Sequence, residues 1–148
     1  PSELGAAFGL VQLKKLKQNL IIRERNFNLH SKFLKKYKKY FILPKQLPGS
    51  RSGWLAYPIT IADDAPFSRT QMQIFLEKKN IQTRVVFTGN ILRQPGFRKI
   101  KCKKDKNGYP EADKVMRNGI LLACHHGLTK QMIRHIHKSI DEFVEKYI

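Results

Sequence analysis

Residues 3–40 read ELGAAFGLVQLKKLKQNLIIRERNFNLHSKFLKKYKKY and contain no proline. Apolar side chains recur along this stretch and just beyond it at intervals of three, four or seven residues, namely Leu4, Phe8, Val11, Leu13, Leu16, Leu20, Phe27, Leu34 and Phe41. This spacing is typical of the apolar stripe of an α-helix. A helix of this kind has little stability alone in water, so its apolar side requires a partner. The stretch therefore predicts a long leading helix, in one or two pieces, that packs against other structure.

The rest of the chain alternates strand and helix signals. Strands are predicted at residues 54–61 (WLAYPITI, with Pro58 indicating an edge strand or an irregularity), 83–87 (TRVVF) and 119–123 (GILLA). Helices are predicted to begin near Ser68, Pro110 and Thr129, and residues 44–53 (PKQLPGSRSG) predict a loop. The sum is an α+β fold, in which helices pack on a small sheet behind the leading helix. We divide it into residues 1–43, the leading helix or helices, and residues 54–148, a small α+β domain.

Length and composition exclude several classes of protein. The chain has 148 residues, 41% of them hydrophobic and 27% charged, which is the composition of a globular domain. Two cysteines are too few for a disulfide scaffold or for an iron–sulfur cluster held by this chain alone. No apolar run approaches the length of a membrane span, and no signal peptide is apparent. Because the first residue is proline rather than methionine, we expect a piece of a longer protein.

The charge is strongly basic and unevenly distributed. Lysine and arginine number 29 against 11 acidic residues, a formal net charge of +18. Between Lys14 and Lys45 there are eleven basic residues and one acid, Glu24. Such an excess attracts polyanions, so a module that binds nucleic acid or an anionic membrane is one alternative. The aromatic residues among these charges recur at helical spacing, however, which favours a solvated basic helix face over direct binding of nucleic acid.

The histidines and cysteines do not predict a metal or nucleophile site. Neighbours in a strand point to opposite faces, so His125 and His126 are poorly placed to share one ion, and His135 and His137 diverge on a helix. Cys124 beside His125 resembles a thiol next to a base, but a buried structural thiol is the commoner case. The sequence lacks the nucleophile-elbow, P-loop and dinucleotide-binding consensus patterns. We therefore expect no metal site, and these residues alone do not reveal an enzyme.

The segment 81–95 (IQTRVVFTGNILRQP) is the best candidate for ligand binding. Arg84 lies inside a predicted strand, where a buried or half-buried guanidinium requires an anion or several acceptors. Asn90 and Gln94 follow a glycine turn and supply donors and acceptors suited to hydroxyl or phosphate groups. The alternative is purely structural, with Arg84 paired to an acid and Asn90 placed in a left-handed turn. Spacing alone leaves both interpretations open.

Several segments resemble the DegT/StrS family of vitamin-B6-dependent nucleotide-sugar aminotransferases and dehydratases. They are residues 1–16 (PSELGAAFGLVQLKKL) with the arginines that follow at Arg23 and Arg25, residues 83–97 (TRVVFTGNILRQPGF) and residues 109–129 (YPEADKVMRNGILLACHHGLT). The T-G-N-x-x-x-Q-P and H-G-L-T blocks are similar to the 3-dehydratase branch, the RfbH type that acts on CDP-4-dehydro-6-deoxyglucose. Histidines at 125 and 126 depart from the bulkier or proline-containing residues expected there.

The resemblance implies a specific fold and activity. The chain would be the connector and small C-terminal domain of a fold-type-I transferase, and the cofactor, pyridoxal or pyridoxamine phosphate, would be held upstream. The catalytic histidine (dehydratases) or Schiff-base lysine (aminotransferases) would lie upstream too, so this chain alone is expected to be inactive and to bind no cofactor. The substrate would be a nucleotide-linked 4-keto-6-deoxyhexose that loses its C3 hydroxyl, or an aminotransferase substrate in the alternative case.

The same resemblance implies site residues and partners. Arg84 and Asn90, with Gln94, would contact the sugar or phosphate in a cytoplasmic homodimer that makes deoxysugars for lipopolysaccharide O-antigen. A reductase is a possible partner, because an electron donor completes deoxygenation. The ligands of any iron–sulfur centre would have to lie upstream, since Cys102 and Cys124 do not supply them.

Overall fold

The leading helix, α1, spans Glu3–Leu34 without interruption in a computed structural model that describes residues 2–148. It begins at Ser2, whose hydroxyl oxygen accepts a hydrogen bond from the Gly5 amide at 3.2 Å, as an N-cap residue does. A single 3₁₀ turn, Lys35–Tyr37, follows it. The predicted long helix is therefore confirmed as one piece, and it ends before the last part of the predicted stripe.

The other elements follow the predicted alternation, and the α+β class is confirmed. In chain order they are β1 (Phe41–Ile42), β2 (Ala56–Ile61), α2 (Arg69–Lys78), β3 (Arg84–Val85), α3 (Pro110–Asn118), β4 (Gly119–Ala123) and α4 (Lys130–Val144). Short 3₁₀ turns lie at Ile91–Arg93, Pro95–Phe97 and Glu145–Tyr147. The predicted loop at residues 44–53 contains no helix or strand.

The four strands form one antiparallel sheet in the order β1-β2-β4-β3. In its centre, Tyr57 lies opposite Leu122 and Ile59 lies opposite Ile120. These four side chains are buried, whereas the alternate residues of β2 are only half-buried. One face of the sheet therefore carries the core, as the period of two residues in a strand requires.

Pro58 does not mark an edge strand, because β2 has a neighbour on each side. The Ala62 amide donates to the Tyr40 carbonyl on the β1 side at 2.9 Å. The two-residue period of a strand directs the backbone nitrogen of Pro58 to that same side. β1 ends at Ile42, which pairs with Thr60, so no strand in residues 2–148 lies opposite Pro58 on that side. The missing donor of Pro58 therefore costs no ladder hydrogen bond.

Two strand predictions need correction. Phe41 lies in β1 rather than on the helical stripe, and it pairs with Ile61 across the sheet. The predicted strand at residues 83–87 is reduced to Arg84–Val85, because the backbone turns at Phe87, where φ is 46°. Pairing with a distant strand overrides the local pattern at Phe41, and a turn of the backbone overrides it at Phe87.

The core lies between the sheet and the helices. The helix α4 begins at Thr129, whose hydroxyl accepts from the Met132 amide. Its predicted stripe is buried, namely Ile133, Ile136, Ile140, Phe143 and Val144. The predicted capping box of α2 is present, with Ser68 and Gln71 bonding each other's backbone amides. Helix capping and apolar spacing were thus sufficient to predict these two helices.

The two halves of α1 differ in their surroundings. Near its carboxyl end, Phe27 and Leu34 are buried in the core. Near its amino end, Leu4, Phe8 and Leu13 are 82%, 66% and 64% exposed. Only the second half of the helix therefore has a partner within residues 2–148.

Two histidines join the second half of α1 to α4. The His30 Nε2–H donates to the Ala123 carbonyl at 3.0 Å, which leaves His30 Nδ1 to accept from His137 Nε2–H, also at 3.0 Å. Burial lowers the pKa of both histidines to about 4. At His137, charge repulsion from His30 lowers the pKa further. The pair is therefore neutral near pH 7 and acts as a structural contact.

Candidate functional site

The loop after β3, residues 86–97, contains two of the predicted site residues and has a fixed shape. Gly89 adopts a φ of +64°, and a Cβ added there would lie 2.3 Å from the Met116 Cβ. Glycine is therefore required at this position both by the backbone conformation and by the close approach of α3. The loop is pressed against α3 at this point.

Asp113 of α3 holds the same loop through side chains. Its Oδ1 accepts from Asn90 Nδ2 at 2.8 Å and from Arg93 Nε at 3.0 Å, and its Oδ2 accepts from Arg93 Nη2 at 2.7 Å. The hydrogen bonds from Arg93 and then Asn90 lower the pKa of Asp113 to about 2. Asp113 is therefore ionised at any ordinary pH, and its carboxylate ties both ends of the Asn90–Arg93 turn to α3.

The side chains of Asn90 and Gln94 are engaged within the loop. Asn90 is buried, and its Oδ1 accepts from the Leu92 amide at 3.1 Å while its Nδ2 is held by Asp113. Gln94 Nε2 donates to the Thr88 carbonyl at 3.1 Å, which closes the loop on itself. Both residues are therefore placed to fix the backbone of the loop.

Arg84 lies elsewhere, opposite Leu121 in the β3–β4 pair. The expectation that this guanidinium would be buried or half-buried in its strand is wrong, because the residue is exposed on the edge strand of the sheet. Within residues 2–148 its side chain makes neither a hydrogen bond nor an ion pair. The structural alternative, in which Arg84 pairs with an acid of this chain, therefore has no support in the described residues.

Arg84 lines a cleft of about 820 Å³ between the sheet and the first turns of α4. The cleft is mainly apolar, with walls from Leu121, Leu122, Leu128, Met132 and Ile136, and its polar lining includes Asn80, Gln82, Arg84, His125, Gln131 and His135. Asn90 and Gln94 are not part of its lining. The structure therefore separates the three predicted site residues into a cleft with Arg84 and a loop with Asn90 and Gln94.

Sequence reasoning did not identify the cleft, although signals for it exist. Leu128, Met132 and Ile136 recur every four residues and line the cleft together with residues of β2 and β4. His135 Nε2 donates to the Lys79 carbonyl at 2.9 Å, and His125 Nδ1 accepts from the Gly127 amide at 3.2 Å. Because Nδ1 of His125 accepts this hydrogen bond, the proton of the neutral ring is on Nε2.

The cysteines and remaining histidines do not form a reactive cluster among the described residues. No group of three or more His, Cys, Asp or Glu side chains in residues 2–148 could hold a metal ion. Cys124 is buried with its thiol 3.6 Å from the Arg23 carbonyl, and burial raises the pKa of that thiol to about 11. Cys124 therefore stays protonated and unreactive near pH 7. Within the same residues, no helix combines the length and the apolarity that crossing a membrane requires.

The sequence matches the profile of the DegT/DnrJ/EryC1/StrS aminotransferase family over residues 2–141. This chain belongs to that family. The match spans nearly all of the chain and confirms the resemblance to this family. The chain spans about a third of the length of the curated relatives that it matches.

The relatives include both dehydratases and an aminotransferase. The chain is 34% identical over 98% of its length to the dTDP-4-dehydro-2,6-dideoxy-D-glucose 3-dehydratase of Saccharopolyspora spinosa, covering 31% of that protein. It is 27% identical over 96% of its length to the lipopolysaccharide biosynthesis protein RfbH of Salmonella typhimurium, covering 32% of it. It is also 31% identical over 93% of its length to the dTDP-4-amino-4,6-dideoxy-D-glucose transaminase of Escherichia coli, covering 36% of it.

Solved structures of the family share the fold. The GDP-4-keto-6-deoxy-D-mannose-3-dehydratase of E. coli, solved with bound hydrated PLP, superposes with a TM-score of 0.77 at 25% identity. This match covers 90% of the present chain and 33% of that one. The sugar aminotransferase CalS13 from Micromonospora echinospora gives a TM-score of 0.79 at 19% identity, over 95% of this chain and 35% of the other. The predicted small domain behind a long helix is therefore the observed fold.

The residues of the cleft and the loop do not by themselves fit pyridoxal phosphate. Such a site requires a partner for the pyridine nitrogen and, in aminotransferases, a lysine for the Schiff base. Neither a lysine nor a carboxylate lines the cleft among the described residues. Asp113 of α3, which holds the loop, is already paired with Arg93 and accepts a hydrogen bond from Asn90. Within residues 2–148, the cleft and the loop therefore supply neither of these groups to the cofactor.

Proposed function

We propose that this chain is the connector helix and small domain of a nucleotide-sugar 3-dehydratase that makes deoxysugars for lipopolysaccharide O-antigen. The observation that carries the proposal is the 34% identity, over 98% of the chain, with a 3-dehydratase of a nucleotide-linked dideoxyhexose. The similarity to RfbH over 96% of the chain supports the same branch. Residues 1–43 would be the connector and residues 54–148 the small domain, with Phe27 and Leu34 joining the two through the core.

In this proposal the chain's own residues bind and position the substrate. Arg84 is an exposed guanidinium without an acceptor in the described residues, so it is suited to the diphosphate of a nucleotide-linked 4-keto-6-deoxyhexose. Asn90 and Gln94 would serve the same substrate by holding the backbone of the 86–97 loop in place, since their side chains are bonded within the chain. Arg84 would be the direct contact and the other two residues the support.

The remaining parts of the proposal concern residues outside this chain. The pyridoxal or pyridoxamine phosphate would supply the electron sink, and the histidine that takes the proton would lie upstream of this segment. We further propose a homodimer in the cytoplasm, and a reductase as the partner that completes deoxygenation. This chain alone would then be inactive.

A nucleotide-sugar aminotransferase is the second candidate. It is supported by the 31% identity with a dTDP-sugar transaminase over 93% of the chain. The residue at the Schiff-base position of the complete gene product separates the two candidates, since a lysine indicates the aminotransferase and a histidine the dehydratase.

A basic binding module is the alternative from another class, and it follows from the net charge of +18. It predicts salt-dependent binding of generic duplex DNA or of anionic vesicles at physiological ionic strength, lost when the lysines at positions 35, 36, 38 and 39 are changed to glutamine. The enzyme proposal predicts no such binding.

The experiment that tests the enzyme proposal uses the complete gene product. Its absorbance spectrum should show bound pyridoxal or pyridoxamine phosphate, and calorimetry with CDP-, dTDP- and GDP-linked 4-keto-6-deoxyhexoses should identify a ligand. Arg84→Ala should raise the dissociation constant of that ligand about tenfold or more, as loss of a charge-assisted hydrogen bond does. Arg98→Ala, which removes another exposed arginine, is the matched control and should leave the constant unchanged. Unchanged affinity in Arg84→Ala removes this residue from the site.

A further inference from the structure

Phe87 has a backbone conformation that large side chains rarely adopt. Its φ is 46°, in the left-handed region, and its side chain is 86% exposed. For a bulky residue this conformation is unfavourable, because the Cβ approaches the neighbouring carbonyl oxygen. The ring gains little from packing within residues 2–148 that could offset the strain.

The surrounding turn imposes this conformation. The Phe87 amide donates to the Val85 carbonyl at 2.9 Å, and the Gly89 amide donates to the Val86 carbonyl at 3.1 Å. Directly after this turn, Gly89 packs against Met116 of α3, and the loop is then tied to Asp113. A strained residue persists where its surroundings determine it in this way, and such residues are concentrated at ligand sites.

A second residue with a positive φ provides a comparison. Asn80 has a φ of 58° at the end of α2. Asparagine tolerates the left-handed region because its short polar side chain bonds locally, and it is a common residue after a helix. Asn80 therefore has an ordinary structural explanation, and Phe87 does not.

Phe87 and Arg84 are close enough to contact one small molecule. They are three residues apart, so their Cα atoms are at most about 11 Å apart, even for extended chain. Phe87 offers a flat apolar ring, and Arg84 offers a guanidinium that has no acceptor within residues 2–148. Together they suit a ligand that carries a ring with an apolar face next to an anionic group.

We propose that the ring of Phe87 stacks on the hexose of the nucleotide-linked substrate while Arg84 binds the diphosphate. This inference rests on the proposed function, which supplies the substrate class. A 6-deoxyhexose carries a methyl group and a face of C–H bonds, which match an aromatic ring better than a fully hydroxylated sugar does. Phe87 then contributes to the selection of deoxyhexoses.

The test uses the complete gene product with Phe87→Gly. Glycine relieves the strain at a positive φ and removes the ring. The dissociation constant of the CDP-, dTDP- or GDP-linked 4-keto-6-deoxyhexose that wild type binds should rise about tenfold. The constant of the corresponding free nucleoside diphosphate should stay the same, and the melting temperature should be unchanged or higher.

Three results would overturn the assignment, and they differ in meaning. Equal weakening of free diphosphate and sugar nucleotide places the ring on the base, and a lower melting temperature shows that it packs against protein. Unchanged affinity removes Phe87 from the site while leaving the proposed function intact. If wild type binds none of these sugar nucleotides, the proposed function fails first and the inference fails with it.

Two control variants make the comparison specific. Leu47→Gly removes an exposed apolar side chain that lies outside both the cleft and the 86–97 loop, and it should leave sugar-nucleotide affinity unchanged. Phe97→Leu removes a neighbouring, partly exposed aromatic ring and should also leave it unchanged. A rise in the dissociation constant for both controls as large as that for Phe87→Gly contradicts a specific role for Phe87.

Discussion

The first half of α1 and the whole of α4 carry the same kind of apolar stripe, yet only one stripe is covered. In α4, Ile133, Ile136 and Ile140 are at most 4% exposed and pack into the core. In α1, Leu4 and Phe8 are 82% and 66% exposed. Apolar spacing thus predicts that a helix forms and which of its faces packs against other structure. It does not predict which part of the protein covers that face.

The largest expected effect on the free energy of unfolding comes from the buried apolar stripe of α4. Ile140→Ala in α4 should lower the free energy of unfolding of the 148-residue chain by about 2–5 kcal/mol, because a fully buried side chain leaves a cavity. Leu13→Ala in the exposed stripe of α1 is the matched control and should change it by less than about 0.5 kcal/mol. Urea denaturation measures both. Equal losses for the two variants would contradict the contrast between the helices.

The next largest effect on stability concerns the histidine contact that joins the second half of α1 to α4 and the sheet. His30→Ala should lower the free energy of unfolding by roughly 3 kcal/mol, since it leaves the Ala123 carbonyl and the His137 ring without their partner. His126→Ala, at an exposed histidine, is the control and should have little effect. A loss as small as that of the control would show that the histidine pair does not hold α1 to the sheet and α4.

The free energy of unfolding should also depend on pH, because His30 is buried in its neutral form. The effect of this residue should be somewhat smaller than that of His30→Ala. The pKa of His30 is lowered from its ordinary 6.5 to about 4 in the folded chain, so the unfolded chain binds more protons between these values. The stabilising contribution is complete above about pH 6.5 and is lost as the pH falls towards 4. His30 alone should therefore lower the free energy of unfolding by about 2 kcal/mol from pH 7 to pH 5, measured in urea, and His137, whose pKa is lowered in the same way, should add to this drop. A flat profile over this range would contradict a neutral buried pair.

Local signals predicted much of the fold. Ser68 and Gln71 defined the start of α2, and the apolar spacing from Ile133 to Val144 defined α4. The predictions that were wrong concerned residues whose structure depends on contacts with distant parts of the chain. Phe41 continued the heptad spacing of Phe27 and Leu34, but its pairing with Ile61 placed it in a strand.

The site was predicted only as a segment. That residues 81–95 bind a ligand stays a prediction. The contact of Asn90 and Arg93 with Asp113 joins residues about twenty apart and has no local signature. The strain at Phe87 is a backbone property that the sequence does not encode in any short pattern. The contact between His30 and His137 likewise depends on tertiary packing.

The smallest expected effect is on the exposed stripe itself. Leu4→Ser together with Phe8→Ser should leave the stability of the 148-residue chain almost unchanged, because both side chains are exposed in it. In the complete gene product the same change should lower the melting temperature, since the proposed connector helix would be covered there. Calorimetric melting of both proteins measures the difference. Equal results in the two proteins would show that the stripe remains uncovered.

The most direct test of the account is the reaction of the complete gene product, loaded with pyridoxamine phosphate, with the nucleotide-linked 4-keto-6-deoxyhexose that it binds. Mass spectrometry and NMR of the product should show loss of the C3 hydroxyl. A product that keeps this hydroxyl and carries an amino group at C4, or the return of unchanged substrate, would contradict the assignment as a 3-dehydratase.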